Sequence, residues 1–331
     1  MADMVWNLIG HEWAAHLLQQ QVAKGVQRHA YLITGPRGVG RRTLALCMAQ
    51  AVNCSQPPAP GQLCGECRAC QLIQQMQHPD LSVVQAEIEG GVLKIEGVRT
   101  LQHELSLTPY EAAFRIGLLL RLQEANVNTQ NALLKTLEEP NPRVMLLATA
   151  DEAEQLLPTI VSRCEVLRLR PLGFAELTEA LEKRGIPQEQ AGLLAQVSSG
   201  RPGYALRLHA EPELLERRKW WLEHLLSLHT ATRRERIAFA DQVTKGKERD
   251  LRKEELHEGL QHWLGFWRDV LLAASGSNAA LSNPDYSAQI AHIAAQVGEV
   301  DAAQKVTAHQ QALQRLYTAN LRMLVENVLL H

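Results

Sequence analysis

The residues best suited to chemistry form a glycine-rich loop between a short apolar run and a helical pattern. Ala30–Thr34 is the apolar run, and Gly35 and Gly40 stand at the spacing of a phosphate-binding P-loop, with Gly38 between them. Such a loop binds phosphate because its amide groups point inward and the helix N-terminus favours negative charge. The spacing therefore predicts a strand, a phosphate-binding turn and a helix.

The positions after Gly40 depart from the usual P-loop pattern. Arg41 replaces the phosphate-binding lysine, and Arg42 replaces the hydroxyl residue that binds magnesium. Guanidinium groups bind phosphate well, so Arg41 stays a candidate ligand. Thr43 carries a hydroxyl one residue late, and it points elsewhere because a helix turns by ~100° per residue. We expect weak nucleotide binding or none; an empty loop, or one holding adventitious phosphate, is the alternative.

Four cysteines after this helix give the sharpest metal signal. Cys54, Cys64, Cys67 and Cys70 form a C-x9-C-x2-C-x2-C pattern. Zinc needs four thiolates at tetrahedral corners, and C-x2-C turns bring two sulfurs to one ion. Four cysteines leave no open coordination position, so we predict a structural zinc site. Cys47 and Cys164 lie outside the pattern, and we expect core packing for both.

A second strand candidate lacks the acids that ATP hydrolysis needs. In P-loop ATPases a strand of this kind ends in Asp-Glu, which holds magnesium and prepares the attacking water. Arg115–Leu122 is the candidate here, and Leu120 and Arg121 stand where the acids are expected. Glu124 is the nearest carboxylate, and we expect it to lie too far along the chain to replace them.

The elements around these residues alternate between strands and helices. Buried-strand patterns occupy 30–34, 81–85, 115–122, 144–149 and 165–169, and helical patterns occupy 6–26, 43–52, 95–107 and 131–139. This alternation predicts an α/β domain whose parallel sheet has helices on both faces.

The remainder of the chain is helical in pattern. Pro171 marks a boundary, after which we predict three short helices at 174–184, 188–198 and 201–210. From Pro212 the pattern is interrupted mainly at 274–285, and the last helix is predicted at 302–330. We expect the tryptophans of this region to fill the core of a helical bundle; they are Trp220, Trp221, Trp263 and Trp267.

Composition narrows the class of protein. The 331 residues have a net charge of −2 and 46% hydrophobic residues, which is typical of a folded chain with two or three domains. The near-zero charge gives no global attraction to nucleic acid, so any DNA contact needs a local patch. No apolar stretch reaches the ~18 residues of a membrane-spanning helix. We expect a cytoplasmic protein with no membrane partner and with reduced thiols.

Several motifs together resemble the clamp-loader branch of the AAA+ ATPases, and within it the delta-prime family of bacterial DNA polymerase III. The matching segments are the loop at 29–40, the four-cysteine insert, His78-Pro-Asp, Asn131-Ala-Leu-Leu-Lys-Thr-Leu-Glu-Glu-Pro and Leu157-Pro-Thr-Ile-Val-Ser-Arg-Cys. They follow the family's order and fall mainly in the first half of the chain.

The resemblance implies a domain layout and a set of partners. It implies a P-loop-like domain at 1–171 with a zinc module at 54–70, a three-helix lid at 172–210, and a collar at 211–331 that builds a pentamer. It implies assembly with gamma/tau and delta subunits, and work on the sliding clamp and primer-template DNA through that complex. It also implies that Cys54, Cys64, Cys67 and Cys70 bind Zn²⁺, and that Arg163 acts in trans on a neighbour's ATP.

At three places the sequence differs from the ATP-hydrolysing members of the family, and these differences favour a non-motor subunit over a motor subunit. An active motor subunit would have Lys and Thr at 41 and 42, acids near 120–121 and an arginine around 203, where this chain has Gly203. Losing all three features removes most of the electrostatic stabilisation of phosphoryl transfer. We therefore expect a non-motor subunit with doubtful ATP or ADP binding. The alternatives are a gamma/tau-type motor subunit and a stand-alone zinc-containing nucleic-acid-binding protein.

Overall fold

A computed structural model of the chain describes residues 5–246, 249–316 and 319–330. It divides into two compact units, one comprising Met1–Ile186 and Gly200–Tyr204, the other Pro187–Ser199 and Ala205–His331. Within the described residues, no helix is long and apolar enough to span a membrane. The division into three domains at 171 and 210 stays a prediction.

The first unit is built on a parallel sheet of five strands. The strands are β1 (Ala30–Thr34), β2 (Leu81–Val84), β3 (Arg115–Leu119), β4 (Val144–Ala150) and β5 (Glu165–Arg168). Their order is β2-β3-β4-β1-β5, and every adjacent pair is parallel. All residues of β1, β3 and β4 are buried, as expected of strands covered on both faces.

Helices cover both faces of this sheet. They are α1 (Glu12–Lys24), α2 (Arg41–Asn53), α3 (Arg68–Gln74), α4 (Ile95–Ser106), α5 (Val127–Ala132), α6 (Leu134–Glu138) and α7 (Pro158–Val161). The first unit also contains α8 (Phe174–Glu182). Leu18 of α1 and Met48 of α2 belong to one apolar core, whereas Leu101 of α4 and Ile160 of α7 belong to another. The predicted α/β fold class is therefore confirmed.

Two helices of the first unit differ from the sequence prediction. The helix predicted at 6–26 begins only at Glu12, because Gly10 and His11 both have positive φ, 71° and 61°. The helix predicted at 131–139 is two helices that meet at Leu133. The Leu133 amide bonds to Gln130 three residues back, and this tighter turn interrupts the regular spacing.

The second unit is a helical bundle. Its helices are α9 (Gln188–Val197), α10 (Pro202–Ala210, whose first residues cluster with the first unit), α11 (Glu213–Thr230), α12 (Arg233–Thr244), α13 (Arg249–Ala274), α14 (Ser287–Arg315) and α15 (Leu321–Leu330). Trp221, Trp263 and Trp267 are buried in its core as predicted, but Trp220 is 38% exposed. Trp220 instead packs its ring beside His224 at the surface, with centroids 4.0 Å apart.

The final helix is shorter than predicted. Instead of one helix at 302–330, α14 ends at Arg315 and α15 begins at Leu321; residues 317–318 lie outside the described residues. The Asn320 side chain accepts a hydrogen bond from the Met323 amide at 3.2 Å, which is the capping role that favours asparagine at a helix start.

A buried carboxylate anchors the loop that leads into β3. Asp80 is fully buried and accepts hydrogen bonds from the amides of Tyr110, Glu111 and Ala112 at 2.7–2.9 Å. Its carboxylate also lies 3.7 Å from the Arg115 guanidinium. Burial alone would raise the pKa of Asp80, but the amides and then Arg115 outweigh it and hold the pKa below its ordinary value.

Asp80→Asn should lower the free energy of unfolding by roughly 2–4 kcal/mol, because an amide cannot accept all three backbone hydrogen bonds and leaves buried donors unpaired. A depressed folded pKa contributes stability above the unfolded pKa and loses it as the pH falls through the folded value. The difference in free energy of unfolding between variant and wild type should thus stay constant from neutral pH down to 3.8, the ordinary pKa of aspartate. Below that pH the difference should shrink. Urea unfolding at several pH values measures it. Glu87→Gln, at an exposed ion pair, is the control; an equal loss there would contradict the prediction.

Candidate functional site

The P-loop retains the backbone geometry of a phosphate-binding turn. Gly35, Gly38 and Gly40 all have positive φ, at 143°, 83° and 115°. The loop starts where β1 ends and runs into the N-terminus of α2. A Cβ at Gly35 would lie 2.3 Å from the Leu169 carbonyl oxygen, so no other residue fits there without movement of the backbone. The structure therefore brings the three predicted glycines together in one turn.

Arg41, in the place of the phosphate-binding lysine, pairs with a carboxylate of the protein. Its side chain is 8% exposed, and its Nη1 atom lies 2.6 Å from Oδ1 of Asp151, just after β4. The carbonyl of Asp151 also accepts the Gly35 amide at 3.0 Å. Asp151 thus contacts both ends of the turn. Arg42 and Thr43 are exposed on the first turn of α2.

The beginning of α10 packs directly on the P-loop within the first unit. The Gly203 amide donates to the Gly38 carbonyl at 2.8 Å. A Cβ added at Gly203 would lie 2.9 Å from that oxygen, and one at Gly38 would lie 3.0 Å from Cβ of Tyr204. The two backbones are therefore too close to admit the arginine that motor subunits are expected to carry around 203.

The end of β3 carries no carboxylate. Leu120 is buried, and the Arg121 amide donates to Oγ1 of Thr149 at 2.9 Å. Glu124 lies in the following turn, where its Oε1 accepts from Nε of Arg121 and from the Gly90 amide, both at 2.7 Å. Burial is the largest influence on Glu124 and raises its pKa above the ordinary value. Both donors go to Oε1, and the buried Oε2 has no hydrogen-bond partner among the described residues.

Arg163 lies at the surface between α7 and β5. Its side chain is 35% exposed, with Nη2 2.7 Å from Oε1 of Glu138. Nη1 donates to the Thr159 carbonyl at 2.9 Å. Exposed ion pairs of this kind contribute only ~0–1 kcal/mol, so the guanidinium can exchange Glu138 for a stronger anion at little cost.

The four predicted cysteines form one cluster. Their sulfur atoms all lie within 4.8 Å of one another. The Cys54–Cys64, Cys64–Cys70 and Cys54–Cys67 sulfur separations are 3.5, 3.9 and 4.0 Å. A tetrahedral zinc with Zn–S bonds of ~2.3 Å places its sulfurs ~3.8 Å apart. The cluster therefore has the donor set and spacing of a structural zinc site.

Backbone amides support the cluster. The Cys64 amide donates to the Cys54 sulfur at 3.4 Å, and the Cys67 amide donates to the Cys64 sulfur at 3.2 Å. Cys67 is the N-cap of α3, where its sulfur accepts the Cys70 amide at 3.5 Å. Burial tends to raise the pKa of Cys67, but this amide and contacts with Ser55 and Cys64 lower it to about 6. Burial raises the pKa of Cys54 and of Cys70.

The two cysteines outside the cluster differ in burial. Cys47 lies on α2 and is 5% exposed in the apolar core, as predicted, and burial raises the pKa of its thiol to about 12. Cys164 is only partly buried but packs against the other apolar core of the sheet, and burial raises its pKa to about 11.

Two partners of the predicted site residues were not found from the sequence. Asp151 stands in no motif, and Glu138 lies in the segment 131–140 without a predicted role of its own. A weak signal existed for Asp151, since it directly follows a buried strand and the carboxyl ends of parallel strands share one edge of the sheet. Nothing in the local sequence pairs Glu138 with Arg163.

Comparison with known proteins places the chain in a family. A family described as "DNA polymerase III, delta subunit" matches residues 10–173. DNA polymerase III subunit delta' of Pseudomonas aeruginosa is 37% identical over 204 residues, which is 61% of this chain and 62% of that protein. The match thus spans less than two thirds of that relative's length. The delta' subunit of Bacillus subtilis is 29% identical over 95% of this chain and 93% of its own.

A solved structure supports the fold. A DNA polymerase III gamma subunit-related protein of Thermotoga maritima superposes with a TM-score of 0.52 at 18% identity, covering 96% of this chain and 97% of that one. At this identity the likeness concerns the fold alone. The family match and the two delta' relatives, independently of this likeness in fold, lead to one assignment: the chain belongs to the delta-prime family of DNA polymerase III subunits.

Proposed function

We propose that this chain is the non-motor subunit of the replicative clamp loader. In this role it assembles with gamma/tau and delta subunits in the cytoplasm, at the replicating chromosome. The assembled complex opens the sliding clamp and places it on primer-template DNA. The observation that carries the proposal is the ion pair between Arg41 and Asp151, which neutralises the phosphate-binding position with the protein's own carboxylate.

Three features argue against ATP hydrolysis by this chain. The charge at the lysine position is already paired, the end of β3 lacks a magnesium ligand, and Gly203 lies against the P-loop where motor subunits are expected to carry an arginine. Phosphoryl transfer depends on positioning and on neutralising charge, and each of these features removes part of that machinery. The glycines preserve the conformation of the turn, and the loop has the structural role of joining β1 to α2.

Arg163 is the residue we assign to catalysis, on a neighbouring subunit's ATP. Its guanidinium is exposed, and its partner Glu138 is itself a surface residue, 49% exposed. A phosphate group is a better partner for guanidinium than a single surface carboxylate, because it accepts bidentate, charge-assisted hydrogen bonds. Arg163 would stabilise the charge that develops on the transferred phosphoryl group.

Isothermal titration of the isolated chain with MgATP should detect no sub-micromolar binding and no turnover. The double variant Arg41→Lys with Arg42→Thr restores the usual motif and should still not hydrolyse ATP, because the acids at 120–121 remain absent and α10 still packs on Gly38. Tight binding with turnover by the unmodified chain would instead favour a motor subunit.

Arg163→Ala should reduce the ATPase rate of the assembled loader while leaving the complex intact on size-exclusion chromatography. An arginine finger supplied in trans raises the rate of hydrolysis ~10³–10⁵-fold at the ATP site that it contacts. Hydrolysis at the neighbouring subunit's site should therefore almost cease. Arg168→Ala is a matched control, since Arg168 is another exposed arginine in an ion pair, with Glu154 on the same unit. Full ATPase activity in the Arg163 variant would refute the assignment.

We also propose that Cys54, Cys64, Cys67 and Cys70 hold one structural Zn²⁺. When bound, the ion would cross-link the loop after α2 to the first turn of α3; four thiolates leave it no open position for catalysis. Only one basic residue, Arg68, lies in the insert, and it is paired with Glu111. A direct role of this module in DNA binding is therefore not part of the proposal.

Metal analysis of the purified chain should find about one zinc per molecule. Cys64→Ser with Cys67→Ser should lose that zinc, because each substitution removes a thiolate ligand. Cys164→Ser, at a cysteine outside the cluster, should keep it. A native protein whose four cysteines form disulfides and bind no zinc would contradict the proposal.

A further inference from the structure

The helical bundle of the second unit contains a small cavity lined by nitrogen-bearing side chains. Its lining comes from all five helices between α11 and α15, and comprises Leu225, Leu228, His229, Arg236, Trp267, Lys305, His309, Val328 and Leu329. The volume that the centre of a water molecule can occupy in this cavity is about 30 Å³. By the same measure, one bound water needs ~10–15 Å³. The cavity is therefore large enough for a small ligand.

The charges around this cavity are unbalanced. Among the described lining residues Arg236 and Lys305 are cationic, His229 and His309 can become so, and none is a carboxylate. Arg236 is fixed by donating Nη1 to the Leu329 carbonyl and Nη2 to the His229 carbonyl, both at 2.9 Å. Lys305 lies over the Trp267 ring, with Nζ 5.6 Å from its centroid. Arg236 and Lys305 are both partly buried, and the carboxylate that acts on Lys305, that of Asp301, does not line the cavity. Partly buried cations without a carboxylate beside them favour an anion in the cavity.

Two buried polar atoms at the cavity have no hydrogen-bond partner in the described chain. One is Nε of Arg236, which can only donate. The other is Nε2 of His309, a residue that is 1% exposed. Because Nδ1 of His309 contacts the Lys305 carbonyl at 2.7 Å, Nδ1 carries the proton and Nε2 of the neutral ring is an acceptor. A ligand that satisfies both atoms must accept from arginine and donate to histidine.

We propose that this cavity binds a protonated oxyanion of the hydrogen phosphate type. Its oxygens accept from Nε of Arg236 and from Lys305, while its hydroxyl donates to Nε2 of His309. The same chemistry is offered by free phosphate and by the singly protonated terminal group of a phosphomonoester, whose second pKa is about 6.

An adjoining groove gives access and further positive charge. The groove has a volume of about 490 Å³ and shares Arg236 with the cavity; its other lining residues are Ala231, Arg233, Asn327 and Leu330. Arg233 is exposed there and adds a cation at the entrance. A phosphomonoester can thus place its phosphate in the cavity and its organic part in the groove.

Titration calorimetry of the full chain at pH 7 and constant ionic strength tests the site. Inorganic phosphate should bind saturably with one site per chain. Sulfate has the same size but no proton at this pH, so it cannot donate to His309 and should bind about tenfold more weakly or not at all. A simple phosphomonoester such as glycerol phosphate, compared with phosphate, distinguishes the two sources. Tighter binding of the ester favours an organic ligand, and weaker binding favours the free ion.

Lys305→Met keeps the alkyl stem against Trp267 but removes the ammonium, and should weaken phosphate binding about tenfold or more. Lys219→Met on α11 is the matched control, since this lysine is exposed and paired with Glu223, and it should bind as wild type. Circular dichroism verifies that both variants fold. Absence of phosphate binding by the wild type, or unchanged binding by Lys305→Met, would overturn the proposal. Equal affinity for sulfate and phosphate would overturn the role given to His309.

Discussion

The ion pair between Arg41 and Asp151 is the interaction around which the first unit is arranged. A nearly buried arginine at the first residue of a helix is unfavourable by itself, because the helix N-terminus already carries partial positive charge. A carboxylate beside it resolves this, and Asp151 supplies one from the end of β4. The same residue accepts the Gly35 amide, so β1, β4 and α2 meet at a single side chain and its backbone. In a phosphate-binding P-loop the residue at position 41 pairs with a phosphate group. In this chain it pairs with the carboxylate of Asp151.

Carboxylates also hold the chain together where β2 and β3 begin. Asp80 gathers three amides of the loop before β3, and Glu111 of that loop reaches both Arg68 at 2.7 Å and His78 at 3.6 Å. Arg68 is the first residue of α3, which carries the last of the four cysteines. The cysteine module is thereby tied to the sheet through side chains as well as through the chain itself. Loops with few apolar residues are held in this unit by carboxylates that accept backbone amides.

The strands and the cysteine cluster could be predicted because each depends on residues close together in the sequence. Strands β1, β3 and β4 were found because they are mainly apolar runs. The cysteine cluster was found because two C-x2-C turns bring together the sulfurs of Cys64, Cys67 and Cys70, with Cys54 close before them in the chain. The breaks at Leu133 and before Leu321 were missed, since the apolar stripe continues through both and the interruption depends on turn geometry and on a single asparagine cap. Asp151, Glu138 and the residues around the cavity of the bundle come from distant segments. Their pairing depends on tertiary packing, which periodicity does not encode.

The close approach of Gly203 to Gly38 has a consequence for how this chain can change by mutation. Any side chain at 203 would meet the Gly38 carbonyl at 2.9 Å, so an arginine there requires a prior shift of α10. Changing Arg41 alone would leave Asp151 without its cation, and an acid in place of Arg121 would remove the ion pair of Arg121 with Glu124. Each of these substitutions therefore removes or strains a contact within the first unit. A single change here lowers stability unless a second substitution restores the lost contact.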